Sequence, residues 1–200
     1  MRTALTSALK VSARASAKTT AKKVASMALA LVALAGVLEA QAQPRIVNMQ
    51  VRSEAFEDGG IIPLRFTSHG DNVQPDFTII GAPAETVAYA IIMHDIEVSI
   101  DKNGTDVTHW VAFDIPSGNI AEGKLPEGSV DGNNIRNQPG YMGSGAPLKD
   151  RFHHYVWEFY ALSAKLGLPA GASRADVMKA MEGKIVGKAA YVGRYANAQP

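Results

Sequence analysis

Three short segments of this chain carry residues able to hold charge or a metal: Met93-His94-Asp95-Ile96-Glu97, Thr108-His109-Trp110 and Arg151-Phe152-His153-His154-Tyr155. Each lies where an apolar or aromatic run starts or stops. If Asp95, His109 and His153 converge, a carboxylate for a cation stands beside two imidazoles for an anion, a pairing that suits a zwitterionic head group or a phosphate ester. Just upstream of His153, Gly140 to Pro147 reads GYMGSGAP. Gly140, Gly143 and Gly145 open backbone conformations closed to other residues, so this loop can turn several N–H groups towards one point. The plainer uses of the same residues are a tight connection and a hydrogen-bonded structural histidine. Two imidazoles and a carboxylate also compose a zinc set for hydrolysis, but the compact H-E-x-x-H spacing is absent. A G-x-S-x-G elbow is absent too, since Ser144 in MGSGA is only a loose likeness and no helical pattern follows it.

The elements that would position these groups read mainly as strands. His153 to Tyr160, HHYVWEFY, is rich in the aromatic and β-branched types that suit a pleated, half-buried surface, and we expect a central strand. Alternation places His153, Tyr155, Trp157 and Phe159 on one face and His154, Val156, Glu158 and Tyr160 on the other, so the two histidines do not share one small site. Val87 to Met93 is almost wholly apolar, as in a strand buried on both faces, and ends at His94 to Glu97. Val107 to Ile115 predicts a further strand, with His109, Val111 and Phe113 opposite Trp110, Ala112 and Asp114. Arg45–Val51, Phe77–Ile80 and Ile185–Tyr191 read as strands, as does Ile61–Thr67, which Pro63 confines to an edge. The stretch from Ile120 to Pro139 has no apolar period and reads as a long ordered loop. One helix is expected over Ser173–Met181, with Ser173 as N-cap, Asp176 three residues on, Gly183 after the end, and Val177, Met178 and Met181 facing the core. The pattern is that of a mostly β protein, an antiparallel sandwich with helical additions.

The first 42 residues read as a segment outside the fold. Residues 1–38 hold six of the chain's 20 Lys and Arg residues and no acid, Val24 to Leu38 is apolar, and Ala40-Gln41-Ala42 has the small-x-small form of a cleavage site. This is the grammar of a secretory signal peptide cut between Ala42 and Gln43, which predicts a periplasmic or secreted protein of one domain, residues 43–200. The apolar run falls short of the roughly 20 residues of a membrane span, so membrane attachment is expected only through an uncleaved leader. The whole chain carries +1, but the leader accounts for the positive excess and the remainder is net negative. No basic stripe suggests a nucleic-acid partner. Without cysteine there is no disulfide, thiolate metal site or thiol nucleophile.

Taken in order, several pieces carry a resemblance: FEDGGIIPLRFT from Phe56, GDNVQP from Gly70, HDIE from His94, THWVAFDIP from Thr108, and GYMGSGAP followed by HHYVWEFYAL. From about Ser53 to Tyr195 the chain resembles the phosphatidylethanolamine-binding protein family, in its bacterial Raf-kinase-inhibitor-like branch. The resemblance implies a β-sandwich with a few peripheral helices, one near the C-terminus, and a pocket for phosphate, a phospholipid head group or a similar small anion. It implies a non-enzymatic binding protein with no catalytic residue, cofactor or metal. Asp95 fills the first carboxylate of the family's D-P-D-x-P motif, while Ile96, Glu97 and Ser99 stand at its Pro, Asp and Pro. His109 fills the histidine of the next strand, His153 and Tyr155 the H-x-Y of the central one, and Gly140, Tyr141 and Gly143 the glycine loop. The resemblance also permits a regulator that binds a protein partner, such as a protease inhibitor. A metal-dependent phosphoester hydrolase is the remaining alternative.

Overall fold

The computed structural model describes residues 48–197, so the leader and the boundary between Ala42 and Gln43 lie outside the described residues. Two sheets and one helix form the fold. A small antiparallel sheet is built from β1 (Gln50–Arg52), β3 (Phe77–Ile80) and β6 (Asn119–Ile120), in that order. The large sheet has six strands, β2 (Gly60–Ile61), β9 (Ile185–Tyr195), β8 (His153–Leu162), β4 (Ala88–Ser99), β5 (Asp106–Ile115) and β7 (Val130–Gly132), again in spatial order. Every pairing in it is antiparallel except the short one between β2 and β9. The mostly β expectation holds, with the helical additions reduced to α1 (Arg174–Met181) and a 3-10 turn at Leu64–Phe66.

Alternation along β8 produces two cores. Tyr155, Trp157, Phe159 and Ala161 face the small sheet, where they meet Phe77 and Ile120. Phe77 packs edge-on against Phe159 at 5.0 Å and tilted against Trp157 at 5.9 Å. Tyr160 and Leu162 face the other way and join Val177 and Met181 of α1. Each large apolar side chain buried here stabilises by roughly 1.5–3 kcal/mol. We call the small-sheet side the front and the α1 side the back.

Several local expectations are corrected. Of Ile61–Thr67 only Ile61 is in a strand, at the sheet edge in β2, because Pro63 at φ −60° leads into the 3-10 turn and Thr67 N–H closes it on the Leu64 carbonyl. Val87 is exposed and precedes β4, which instead runs on through Glu97 to Ser99. The final strand continues to Tyr195, and the supposed loop from Ile120 to Pro139 contains the edge strand β7. Ser173 does cap α1, its hydroxyl accepting from Asp176 N–H while the Asp176 carboxylate accepts from Ser173. Met178, however, is exposed, and only Val177 and Met181 are buried.

Two irregularities between β4 and β5 matter for the site. Met93 pairs with Trp110, but His94 pairs with Thr108, so His109 is an extra residue in β5. Such a bulge leaves one residue unpaired and re-aims its side chain. Asp95 then pairs with Val107 and Ser99 with Asp106, so Ile96, Glu97 and Val98 loop out of the ladder from β4.

Candidate functional site

The two irregularities gather ionisable groups at the front end of β4, β5 and β8. Strict alternation would have put His109 beside Val111 and Phe113, but the bulge turns it to the front. Its ring lies edge-on to Tyr155, with centroids 5.1 Å apart at 87°. His109 Nδ1 sits 3.0 Å from the Met142 carbonyl and 3.1 Å from that of Gly143. Carbonyls only accept, so Nδ1 carries the proton and Nε2 presents a lone pair. Burial pulls the imidazole below its ordinary value, against the Met142 carbonyl and the Asp95 charge, and favours this neutral form.

His153 stands in the opposite electrostatic situation. It begins β8 directly across from the end of the β4 ladder, where Asp95 pairs with Tyr155. Its Nδ1 lies 2.8 Å from Asp95 Oδ2 and its Nε2 3.2 Å from Asp150 Oδ2. Burial alone would lower its pKa, but the two carboxylates outweigh burial and hold it above the ordinary value. Asp95 Oδ1 meanwhile accepts from Glu97 N–H at 2.9 Å, a turn that fits the looped-out segment. Tyr155 receives Gly145 N–H on its hydroxyl oxygen at 3.1 Å. Burial first and the Asp95 charge next push its hydroxyl pKa well upwards, so it stays a neutral phenol.

Glu97 reaches His154, which stays on the face of β8 opposite His153. The β4–β8 pairing stops at Asp95 and Tyr155, which leaves His154 N–H without a ladder partner. Glu97 Oε2 accepts it at 2.6 Å, and Oε1 lies 2.7 Å from His154 Nδ1. His154 backbone and ring contacts, with Arg151 3.6 Å away, hold the Glu97 carboxyl below its ordinary range despite the opposing effect of burial. One ligand atom from each of Asp95, Glu97 and His153 falls within 4.8 Å of the others, a donor set able to take a divalent cation. Both His153 nitrogens, however, already face carboxylates.

The glycine loop divides its residues between two places. Gly143 belongs with His109: its carbonyl accepts from Nδ1 and its N–H donates to Asn72 Oδ1 at 2.7 Å. A Cβ there would stand 2.5 Å from the Thr67 carbonyl carbon, so the close approach requires glycine. Gly140 and Tyr141 are engaged elsewhere. Gly140, at φ 99°, accepts from Asn134 Nδ2 at 3.2 Å. Tyr141 donates its hydroxyl to the Phe66 carbonyl at 2.7 Å and packs edge-on to Trp110.

The chain that carries this site matches proteins of a known family. The family model for phosphatidylethanolamine-binding protein matches residues 52–196. This chain belongs to the phosphatidylethanolamine-binding protein family. A UPF0098 protein of Methanothermobacter thermautotrophicus is 38% identical over 154 residues, covering 74% of this chain and 98% of that protein. LppC of Mycobacterium tuberculosis, named as a lipoprotein, is 31% identical over 154 residues, covering 76% and 74%. Among solved structures, a phosphatidylethanolamine-binding protein homologue of Chlamydia trachomatis superposes with a TM-score of 0.69 at 28% identity, covering 76% of this chain and 99% of its own. YbcL of Escherichia coli does so with 0.66 at 25%, covering 74% and 97%.

Within this member of the phosphatidylethanolamine-binding protein family, sequence reasoning missed three groups. Asp150 closes on His153 Nε2, His154 on Glu97, and Asn72 on the Gly143 N–H. Asp150 precedes His153 by three residues, and that spacing was the available signal. Asn72 lies 71 residues from its partner and gave none.

Proposed function

We propose that this protein is an exported, non-enzymatic binding protein that takes a small phosphate-bearing ligand at Asp95, Glu97, His109, Gly143, His153 and Tyr155. One observation carries the reading: an oxyanion, the carboxylate of Asp150, already lies against Nε2 of a buried histidine whose other nitrogen Asp95 holds. Asp150 is half exposed and sits on a loop, whereas the His153 side chain is 4% exposed. A phosphate oxygen would take the place of that carboxylate and meet the same charged N–H. Neutral His109 adds an acceptor for a phosphate O–H or an ammonium, and Asp95 and Glu97 supply negative charge for a cationic end. This combination suits a zwitterionic head group such as phosphorylethanolamine. The hydroxyls argue against covalent chemistry, since Tyr155 is held as a neutral phenol and Ser144 is fully buried. Export rests on the basic-then-apolar leader and on the lipoprotein name of the relative LppC.

Titration calorimetry with phosphorylethanolamine and inorganic phosphate, on the wild type and on His153→Ala, tests the proposal. Saturable heat in the wild type and its loss in the variant are expected. No heat from either anion in the wild type overturns it. A second reading, a regulator of a protein partner, draws on Leu148 and Phe152, both exposed on the loop that carries Asp150. Retention of a defined partner by the immobilised wild type, and not by a Leu148→Ser, Phe152→Ser variant, would favour that reading.

A further inference from the structure

A cavity of about 290 Å³ opens on the flank of the glycine loop. Trp110, Tyr141, Asp131, Asn72, Gln74 and Leu125 line it. Ligand pockets commonly span roughly 300–1,000 Å³, so this one fits a fragment-sized molecule. Its charge comes from Asp131, on β7. Trp110 Nε1 donates to Asp131 Oδ1 at 2.9 Å, and none of the ion pairs among the described residues includes Asp131. Burial pushes its carboxyl upwards, with the Trp110 hydrogen bond acting the other way, as expected where no cation compensates the charge.

Part of the remaining polar lining is already engaged. Asn72 Oδ1 accepts from Gly143 N–H, Gln74 Nε2 donates to the Ala121 carbonyl at 2.9 Å, and Tyr141 donates to Phe66. The charge that the cavity offers a guest is one carboxylate, beside two aromatic rings. Trp110 and Tyr141 stand perpendicular, 5.6 Å between centroids at 86°. A carboxylate and aromatic faces both attract an ammonium, whereas an anion entering here meets repulsion from Asp131.

We propose that this cavity is a second ligand site, which binds a small organic ammonium through the Asp131 carboxylate and the aromatic walls of Trp110 and Tyr141. It is distinct from the Asp95–His153 group. The two places share the glycine loop, because Gly143 gives its N–H to Asn72 and its carbonyl to His109.

The chain has two tryptophans, and the Trp157 indole N–H has no acceptor, so the two indole resonances report separate surroundings. Proton–nitrogen spectra of the protein are recorded during titration with tetramethylammonium, ethanolamine and, separately, inorganic phosphate. The expected result is a saturable shift of the Trp110 indole with both ammonium probes, no shift of Trp157, and none of either with phosphate. Asp131→Asn keeps an acceptor for Trp110 but removes the charge, and should weaken the ammonium probes by about tenfold. Tyr141→Leu should weaken them several-fold, and remains informative if Asp131→Asn fails to fold. His153→Ala should leave them unchanged. No saturable shift of Trp110 overturns the proposal, as does an affinity that neither Asp131→Asn nor Tyr141→Leu alters. Loss of the ammonium shift in His153→Ala overturns it as well, because it would place the cation at Asp95 and Glu97. Phosphate binding reported by His153 resonances stands or falls separately, so the fate of the first site is read in the same titrations.

Discussion

Residues of β4 and β8 build two polar clusters on opposite faces of one sheet, and their partners differ in kind. On the back, His94 Nδ1 lies 2.5 Å from Asp106, and Asp106 also takes Arg174 from α1. Glu158 is met by Lys188 of β9 at 2.6 Å and by the Tyr160 hydroxyl at 3.0 Å. Each back carboxylate has its base on a packed strand or helix. On the front, Asp95, one residue along β4 from His94, forms the inner pair with His153 at the start of β8. There Glu97 comes from a looped-out segment and Asp150 from an exposed turn. The back closes on itself, while the front completes its charge with groups that can leave. Similar residue types thus make a structural brace on one face and the proposed anion position on the other, and the rigidity of the partner's element separates them.

The largest effect should come from the packing that both clusters stand on. Trp157→Ala removes a fully buried ring packed against Phe56 and Phe77, and should cost about 3–5 kcal/mol in urea denaturation. A loss below about 1 kcal/mol would mean that the front core does not support its site as described.

Asp95→Asn should cost about 1.5–3 kcal/mol, because it removes a charged partner from a buried imidazole. It also changes the pH profile. The raised His153 pKa contributes stability that is fully present below the ordinary histidine value of about 6.5 and is lost as pH rises through the folded-state pKa. His109 acts with the opposite sign, because its lowered value makes protonation unfavourable to the fold as the solution is acidified. Histidine titrations by NMR should show the His153 pKa falling in Asp95→Asn. An unchanged His153 would mean that Asp95 does not set the front cluster apart.

Ser173→Ala opens the cap of the helix that covers the back and should cost about 1 kcal/mol, leaving phosphate binding at the front unchanged. The smallest effect is expected from Asp150→Asn. It withdraws a competing oxyanion from His153 Nε2 and should tighten inorganic phosphate several-fold in calorimetry. Weaker binding in that variant would show Asp150 to be part of the ligand site and not an occupant of it.

Much of this was legible in sequence, for local reasons. The period of two in HHYVWEFY assigned Tyr155, Trp157 and Phe159 to one core and Tyr160 to the other. The spacing of Ser173 and Asp176 declared the start of α1, since a capping box needs only four consecutive residues. Ordered motifs carried the family and, with it, Asp95, His109 and His153. The failures were of another kind. His109 was assigned to the wrong face because a bulge is a property of two paired strands, and β5 alone shows no sign of its register with β4. The resemblance put Gly140 and Tyr141 at the first site with the rest of the glycine loop, and their hydrogen bonds run to Asn134 and Phe66.

By itself, then, the sequence determined most of the long strands, which faces β8 buries, and which chemical groups are available at the strand ends. These follow from rotamer preference, apolar period and capping, all of which act over a few residues. Only the tertiary structure decided that His109 turns to the front, that Glu97 loops out to take the His154 N–H, that Asp150 folds back on His153, and that Asp131 and Trp110 enclose a cavity. Each of these depends on register or chain return between segments distant in sequence, where the position of one partner exists only once the other is in place.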